Sequence, residues 1–233
     1  MELNLQFYQT FAKDFSATRG RLQPGVQRIL TDLEGTEHIL DVGCGNGGLA
    51  RELARRGHHG SYLGMDFSLP LLQVAESRLE DLSASFKQAD ITASDWDAGL
   101  SASSYDAVYA FAVLHHIPGE EIRLRLLRKI NRLLKPGGRF ILSNWQFLNS
   151  DRLKARIQDW KKAGLSPSQV DEGDYVLDWR AGGRGLRYVH HFSEVELDEL
   201  APRTGFRVVD SFYSDGQNHK SGLYQVWERN FDA

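Results

Sequence analysis

The chain has 233 residues, 41% of them hydrophobic and 25% charged, which is enough to bury one sizeable core without metal or disulfide support. Its formal net charge of −3 argues against nonspecific coating of a polyphosphate, and its single cysteine, Cys44, cannot form an internal disulfide. Residues 1–16 mix acidic, basic and aromatic residues instead of forming the apolar stretch of a signal peptide or membrane span, so we expect a cytoplasmic protein.

Predicted helices and strands alternate along the first two thirds of the chain. Residues 4–34 carry apolar residues at helical spacing, broken at Gly20 and Pro24, which predicts two helices. Strands are predicted over 38–42, 61–67, 86–91, 105–111 and 139–145, with helices between them, and the KPGG sequence at 135–138 ends the last of these helices. Short connections of this kind predict a doubly wound, mostly parallel sheet with helices on both faces.

The alternation lapses between residues 149 and 192. An amphipathic helix, a polar segment and an arginine- and glycine-rich run are predicted there, so we expect a small insertion. A helix near 193–203 and strands over 205–213 and 222–229 follow. The whole pattern predicts a single Rossmann-like α/β domain over 1–233, with a seven-stranded sheet and the insertion before its last two strands.

The segment LDVGCGNGG at 40–48 predicts a ligand site between the first strand and its helix. Its glycines permit a sharp turn and bring backbone N–H groups close to a ligand, although the GxGxxG spacing alone also fits a dinucleotide. Asp41, just before the glycines, can accept from the ammonium of an amino-acid ligand, which a dinucleotide pyrophosphate does not require. Asp66 closes the second strand and suits ribose hydroxyls, while Asp90 and the Ile91 backbone, closing the third, suit the amino group of adenine.

Together with this segment, the motifs GMDFS, QADI, YDAVYAFAVLHHI and LKPGG resemble those of class I S-adenosylmethionine-dependent methyltransferases, over residues 36–146. The resemblance implies S-adenosyl-L-methionine as cofactor, S-adenosyl-L-homocysteine as product, and no catalytic metal. The cofactor-binding residues that it implies are Asp41, Gly43, Cys44, Gly45, Asn46, Asp66, Phe67, Ser68, Asp90, Ile91 and Phe111. A packing role remains open for Cys44.

The same resemblance implies an acceptor side beyond the fourth strand. His115 and His116 lie where family members pass from cofactor to substrate, and His116 is expected to orient the acceptor or take its proton. In many relatives an amino-terminal helix covers the pocket, so residues 1–34 are expected to form a lid. Tyr8 would then lie near the methyl group and Arg19 near the methionyl carboxylate. Packing or solvent-exposed roles remain open for these residues.

The flanks of the chain resemble the tRNA wobble-uridine carboxymethyl methyltransferases, which esterify a carboxymethyl group. The motifs are FYxxFAxxFSxTRxRxxP at 7–24, RYVHHFSEVEL at 187–197 and SFYSDGQN at 211–218, although residues 219–221 are HKS where that family typically has aromatics. The resemblance implies that the insertion lies on the substrate side and that Arg187 grips a carboxylate. The other acceptor-side residues that it implies are Arg184, Tyr188, His190 and His191. A surface hairpin with solvated arginines is the alternative.

Three functions fit these observations. The first is methylation of an O or N atom of a small metabolite, often a carboxylic acid or a phenol, and the second is methylation of a tRNA wobble carboxymethyluridine. Basic residues over 123–139 and 152–162 would follow phosphates if RNA binds, or would face solvent. The third is a catalytically silent activating partner, which the intact cofactor motif argues against. We expect no membrane contact, and an activating subunit or a second copy of the chain as protein partner.

Overall fold

The structure, a computed structural model, describes residues 2–17, 20–78, 83–180 and 183–231, without the side chains of Glu2, Lys13 and Phe15. The strands in these ranges are β1 (Ile39–Val42), β2 (Tyr62–Asp66), β3 (Ala84–Gln88), β4 (Tyr105–Phe111), β5 (Leu134–Trp145), β6 (Ile157–Gln158), β7 (Asp174–Trp179), β8 (Gly185–His190), β9 (Phe206–Ser214) and β10 (Gly222–Arg229). The helices are α1 (Glu2–Ala17), α2 (Pro24–Ile29), α3 (Gly48–Arg55), α4 (Leu69–Glu76), α5 (Glu120–Leu133), α6 (Asp151–Lys154) and α7 (Glu194–Arg203).

Seven strands form the main sheet, in the order β3-β2-β1-β4-β5-β10-β9. The first five of these pair in parallel, and β10 runs antiparallel to both β5 and β9. The predicted Rossmann-like, mostly parallel seven-stranded sheet is therefore confirmed. Because the strand order reverses between β1 and β4, a crevice forms at the carboxyl ends of these strands.

Both faces of this sheet are buried, which explains the continuous apolar runs in its central strands. On one face, Leu40 and Phe140 join a cluster with residues of α5 and α7, such as Leu127. On the other face, Ile39 and Tyr109 pack with residues of α2 and α3. Helices thus cover the sheet on both sides and leave its carboxyl edge to the connecting loops.

Two predicted strands have different bounds in the structure. β3 ends at Gln88, so Asp90 and Ile91 lie in the loop beyond it, where Asp90 Oδ1 accepts from the backbone N–H of Thr92 at 2.9 Å. β5 begins at Leu134, directly after α5, because residues 135–138 bulge between two paired positions of β4 and β5. The KPGG sequence therefore ends the helix as predicted but belongs to the following strand.

The insertion contains a small antiparallel sheet, in the order β6-β7-β8, where an amphipathic helix was predicted. That prediction is wrong because α6 has only four residues: Ile157 pairs with β7, and Asp159 starts a separate 3₁₀ turn by accepting from the N–H of Lys161 at 2.8 Å. The basic residues of 152–162 consequently do not share one helix face.

Helix α1 packs against this insertion and against α4. Phe7, Tyr8 and Phe11 form an apolar cluster with Leu71 of α4. Asn4 ties the same helix to β8, since its Oδ1 accepts from the N–H of Tyr188 at 2.9 Å and its Nδ2 donates to the Tyr188 carbonyl at 3.1 Å. Among the described residues, no helix is long and apolar enough to cross a membrane.

Candidate active site

A cavity of about 500 Å³ lies at the carboxyl edge of the main sheet, between α1, the glycine-rich loop and the insertion. Residues predicted from motifs far apart in the sequence line it together. They are Tyr8, Asp41, Gly43, Cys44, Gly45, Asn46, Asp66, Phe67, Asp90, Ile91, Phe111, His115, His116 and Arg187. Their roles remain predictions, but one cavity contains the residues proposed for the cofactor and several of those proposed for the acceptor.

The glycine-rich loop needs glycine at its first turn. Gly43 has a φ of +76°, and a Cβ placed on it would lie 2.5 Å from Cγ2 of Val113. The N–H groups of Gly43 and Cys44 both donate to the carbonyl of Met65, at 2.7 and 3.0 Å. The loop is therefore held against the end of β2, and the absence of a side chain at Gly43 leaves room for Val113 to pack against its backbone.

Asp41 is buried at the end of β1 and accepts a hydrogen bond from the Tyr62 hydroxyl at 2.6 Å. The pKa of Asp41 is raised to about 7, chiefly by burial; the hydrogen bond from Tyr62 opposes this rise and the charge of Asp66 adds to it. A cationic ligand at this carboxylate would favour its ionised form. The site thus suits a positively charged group, and Tyr62 is a part of it that no motif indicated.

Asp66 is held by backbone donors at the end of β2. Its Oδ1 accepts from Ser68 N–H at 2.8 Å and its Oδ2 from Gly45 N–H at 2.9 Å. Burial raises the pKa of Asp66, although these backbone bonds oppose the shift. The Ser68 side chain is buried and does not line the cavity, and its backbone N–H holds Asp66; the cofactor contact predicted for Ser68 stays a prediction.

His116 has a defined arrangement on the acceptor side. Its Nδ1 lies 3.1 Å from the carbonyl oxygen of Tyr188, and its Nε2 lies 3.1 Å from the hydroxyl of Tyr8. Because a carbonyl only accepts, we assign the proton of the neutral ring to Nδ1, which leaves Nε2 as the acceptor. In this form Nε2 is the atom that could take a proton from an acceptor replacing the Tyr8 hydroxyl.

Arg187 is a buried cation at the cavity wall, only 7% exposed. Its guanidinium carbon lies 4.9 Å from the ring centroid of Trp145, 5.3 Å from that of Phe7 and 5.8 Å from that of Trp179. Within the described ranges, no hydrogen bond or ion pair reaches this guanidinium from another side chain. A buried cation without an anionic partner is costly, so this position favours an anion bound in the cavity.

Four predicted acceptor residues do not line this cavity. Arg184 is exposed in the β7–β8 connection, and the Tyr188 hydroxyl donates to Asp174 at 2.6 Å. His190 lies between Asp174 at 2.7 Å and Glu196 at 2.9 Å, and His191 packs edge-on against Phe147 with ring centroids 5.5 Å apart. Strand alternation explains two of these positions, because Tyr188 and His190 face away from the side of β8 on which Arg187 lies, whereas Arg184 and His191 lie outside β8. Arg19, which was predicted to contact the methionyl carboxylate of the cofactor, lies outside the described residues.

The buried ion pair of His190 connects β8 to β7 and α7. Burial alone would lower the pKa of His190, but its bonds to Asp174 and Glu196 outweigh this effect and raise the pKa. Burial alone would likewise raise the pKa of Asp174, yet the bonds from His190 and Tyr188 lower it. This cluster therefore anchors the strand that carries Arg187.

Further residues of the cavity went unpredicted. Asn4 and Asn144 line it, as does Asp215, which accepts from Gly25 N–H at 3.0 Å and from the Tyr224 hydroxyl at 2.6 Å. Asp215 belongs to the SFYSDGQN motif, so the sequence contained a signal that could have indicated its place in the site. Asn4 and Asn144 stand in no motif, and only the fold brings them to the site.

The fold and the cavity define a class I methyltransferase, and comparison with known proteins agrees. Residues 39–138 match the family described as Methyltransferase domain. A methyltransferase-family protein of Encephalitozoon cuniculi is 31% identical over 206 residues, which are 88% of this chain and 87% of that protein. A solved S-adenosylmethionine-dependent methyltransferase of Methanosarcina mazei has a TM-score of 0.69 at 23% identity, covering 90% of this chain and 99% of that one. The chain belongs to the S-adenosylmethionine-dependent methyltransferases.

The names of other similar proteins indicate different acceptors or partners. The tRNA (carboxymethyluridine(34)-5-O)-methyltransferase of Arabidopsis thaliana is 29% identical over 168 residues, and the match covers 71% of this chain but only 37% of that protein. A ubiquinone biosynthesis O-methyltransferase of Alkalilimnicola ehrlichii is 36% identical over 180 residues, covering 70% and 68%. A Haloferax volcanii methyltransferase solved with the Trm112 activator has a TM-score of 0.69 at 17% identity, covering 96% of each chain.

The residues of the cavity fit S-adenosylmethionine, the cofactor of this family. The buried Asp41 favours a cationic group, Asp66 has lone pairs beyond its two backbone bonds, and the Cβ position of Gly45 has no atom within 4 Å, which leaves space for a ligand beside the loop. When bound, the cofactor supplies a methyl group activated by a positively charged sulfur. The protein's task is then to hold the acceptor atom in line with that methyl group.

Proposed function

We propose that this methyltransferase esterifies the carboxylate of a carboxymethyl group, and that the acceptor is a modified uridine of tRNA. The observation that carries the proposal is Arg187, a buried guanidinium at the cavity wall that lacks an anionic partner among the described residues. A carboxylate would satisfy this cation in bidentate geometry. The similarity to the Arabidopsis tRNA enzyme supports the choice of a carboxymethyluridine.

The reaction needs little more than orientation. A carboxylate has no proton to lose, so its oxygen attacks the methyl carbon without a base while the C–S bond breaks and its electron pair passes to sulfur. In the proposed complex, Arg187 holds the carboxylate and the aromatic rings around it keep water away. The product is a neutral ester, which binds a guanidinium more weakly than the carboxylate does. Esterification therefore also favours product release.

The chemical stability of the product tests this proposal. The protein is incubated with total tRNA and cofactor labelled in its methyl group, and the RNA is then treated with mild alkali. We expect label in tRNA that alkali releases as methanol, because esters hydrolyse under these conditions. Label that resists alkali, or its absence from tRNA, would contradict the proposal.

Two arginine variants separate the acceptor site from general effects. Arg187→Ala should lower kcat/KM for the acceptor by about 10- to 100-fold, the range for a hydrogen bond to a charged group, while the cofactor affinity is unchanged. Arg207→Ala is the matched control, since Arg207 is exposed on β9 and pairs with Glu228. Equal activity of both variants would remove Arg187 from the acceptor site.

A second candidate is O-methylation of a small phenol. It is favoured by His116, whose Nε2 is the accepting nitrogen of the assigned tautomer, and by the similarity to the ubiquinone biosynthesis enzyme. A phenol needs a base, so His116→Asn should abolish turnover of this acceptor, and its labelled ether should resist alkali. Esterification of a carboxylate should instead tolerate His116→Asn within about 10-fold.

We also propose an activating subunit as protein partner, supported by the fold shared with the Haloferax methyltransferase that was solved with the Trm112 activator. Adding a purified Trm112-type protein should raise kcat and the melting temperature of the chain. A chain whose activity and melting temperature do not respond would act without this partner.

A further inference from the structure

Asn144 is a buried polar residue whose side chain has no hydrogen-bond partner within the described part of the chain. It lies near the carboxyl end of β5, is 1% exposed and lines the cavity. Neither Nδ2 nor Oδ1 has a partner among the described residues. Its cross-strand neighbour on β10 is Leu223, which is fully buried and offers only backbone groups already used in the sheet.

An unsatisfied buried amide opposes folding, so its presence at a cavity wall points to a ligand that supplies the missing bonds. Two other buried asparagines have hydrogen-bond partners for their side-chain amides. Asn131 Nδ2 donates to the Gly205 carbonyl at 2.9 Å, and Asn46 Nδ2 donates to Ser16 Oγ at 2.9 Å. Asn144 differs from them, since neither polar atom of its side chain has a partner among the described residues.

The order of strands places Asn144 on the acceptor side. Asp41 and Asp66 end β1 and β2, and β4 separates these strands from β5. The residue after Asn144 is Trp145, whose ring lies against the Arg187 guanidinium. The backbone N–H of Trp145 donates to His115 Nδ1 at 3.4 Å. Asn144 and Trp145 both line the cavity, so the amide and the ring that supports the proposed carboxylate site border the same space.

The chemistry of the amide restricts what the acceptor presents there. An asparagine offers two donor hydrogens beside a carbonyl acceptor, so it is satisfied by a group with an N–H next to a C=O. A carboxylate or a phenol ether satisfies only one half of it. The imide edge of uracil carries an N–H flanked by carbonyls, and proteins commonly read unpaired RNA bases by hydrogen bonds to this edge.

We propose that Asn144 is a specificity-determining residue that binds the N3–H and a neighbouring carbonyl of a uracil base whose carboxymethyl group lies at Arg187. This inference rests on the proposed function, and it names the imide edge of the base as the part of the acceptor that the enzyme recognises. It distinguishes a uracil acceptor from small carboxylic acids, which lack the imide.

The test compares two anticodon stem-loop RNAs that differ at one position. One carries 5-carboxymethyluridine and the other its 3-deaza analogue, which takes the 4-hydroxy-2-pyridone form, so that a C–H replaces the N3–H and a hydroxyl replaces the C4 carbonyl. Wild-type protein should show a kcat/KM at least about 10-fold higher for the uridine, and Asn144→Leu should reduce this ratio to about 1.

Asn131→Leu is the matched control, because it removes a satisfied buried amide away from the cavity. We expect Asn144→Leu to keep or raise the melting temperature, since it removes an unsatisfied polar group, and Asn131→Leu to lower it while leaving the ratio unchanged. A structural role for Asn144 would instead give a lower melting temperature and an unchanged ratio. Should this occur, or should wild type methylate both RNAs equally, the Asn144 inference is wrong and the proposed function stands. If neither RNA accepts methyl, the proposed function itself fails.

Discussion

The raised pKa of Asp41 predicts that cofactor binding depends on pH near neutrality. With a pKa of about 7, the carboxylate is about one tenth ionised at pH 6 and about nine tenths ionised at pH 8. A cationic ligand binds the ionised form, so its affinity should fall about 10-fold from pH 8 to pH 6. At pH 7, binding should release about half a proton from this group.

Isothermal titration calorimetry with S-adenosylmethionine, in buffers of different ionisation enthalpy, measures both quantities. Asp41→Asn is the control that isolates the carboxylate from the titration of the ligand's own amino group, and it should bind weakly without this pH dependence. Tyr62→Phe removes a hydrogen bond that lowers the pKa of Asp41, so the midpoint should move to higher pH. If wild type and Asp41→Asn show the same dependence on pH, Asp41 does not bind the cationic part of the cofactor.

Three other variants test the framework of the site. Gly43→Ala places a methyl group against Val113 at a positive φ, so it should lower the free energy of unfolding in urea by at least about 1 kcal/mol. Adding Val113→Ala should restore part of this loss. An unaltered unfolding midpoint would contradict the tight turn. Asp66→Asn should weaken cofactor binding at least about 10-fold by calorimetry while circular dichroism stays the same, and undiminished affinity would remove its ligand role. The raised pKa of His190 means that its ion pair stabilises the fold fully below the unfolded pKa of about 6.5 and loses this contribution as pH rises through the folded value. The melting temperature should therefore fall as pH rises above about 6.5, and His190→Gln should reduce this fall. If the variant shows the same fall as wild type, the pH dependence comes from other groups.

Much of the fold was predictable because its signals are local. Each parallel strand is a short apolar run between turn residues, and the alternation with helices leaves few topologies. The insertion was not predictable in the same way. Basic and apolar residues over 151–163 fit a helical pattern, but Ile157 gains backbone bonds to β7, and that partner is distant in the sequence. Such tertiary pairing overrides a local preference.

The cofactor side of the site was more predictable than the acceptor side for a related reason. Asp66 ends β2 and Asp41 is the next-to-last residue of β1, so the parallel topology alone brings them to one edge. On β8, by contrast, the motif indicated several consecutive residues, whereas the alternation of a strand lets only Arg187 reach the cavity. Asn144 had no signal, because its significance lies in the absence of a partner, which only a folded structure can show.

A crystal structure with S-adenosylhomocysteine and 5-carboxymethyluridine tests most directly whether one cavity holds cofactor and anionic acceptor side by side. We expect the homocysteine ammonium near Asp41 and the acceptor carboxylate paired with the Arg187 guanidinium. A carboxylate bound elsewhere, with Arg187 still enclosed by its aromatic rings alone, would contradict the account.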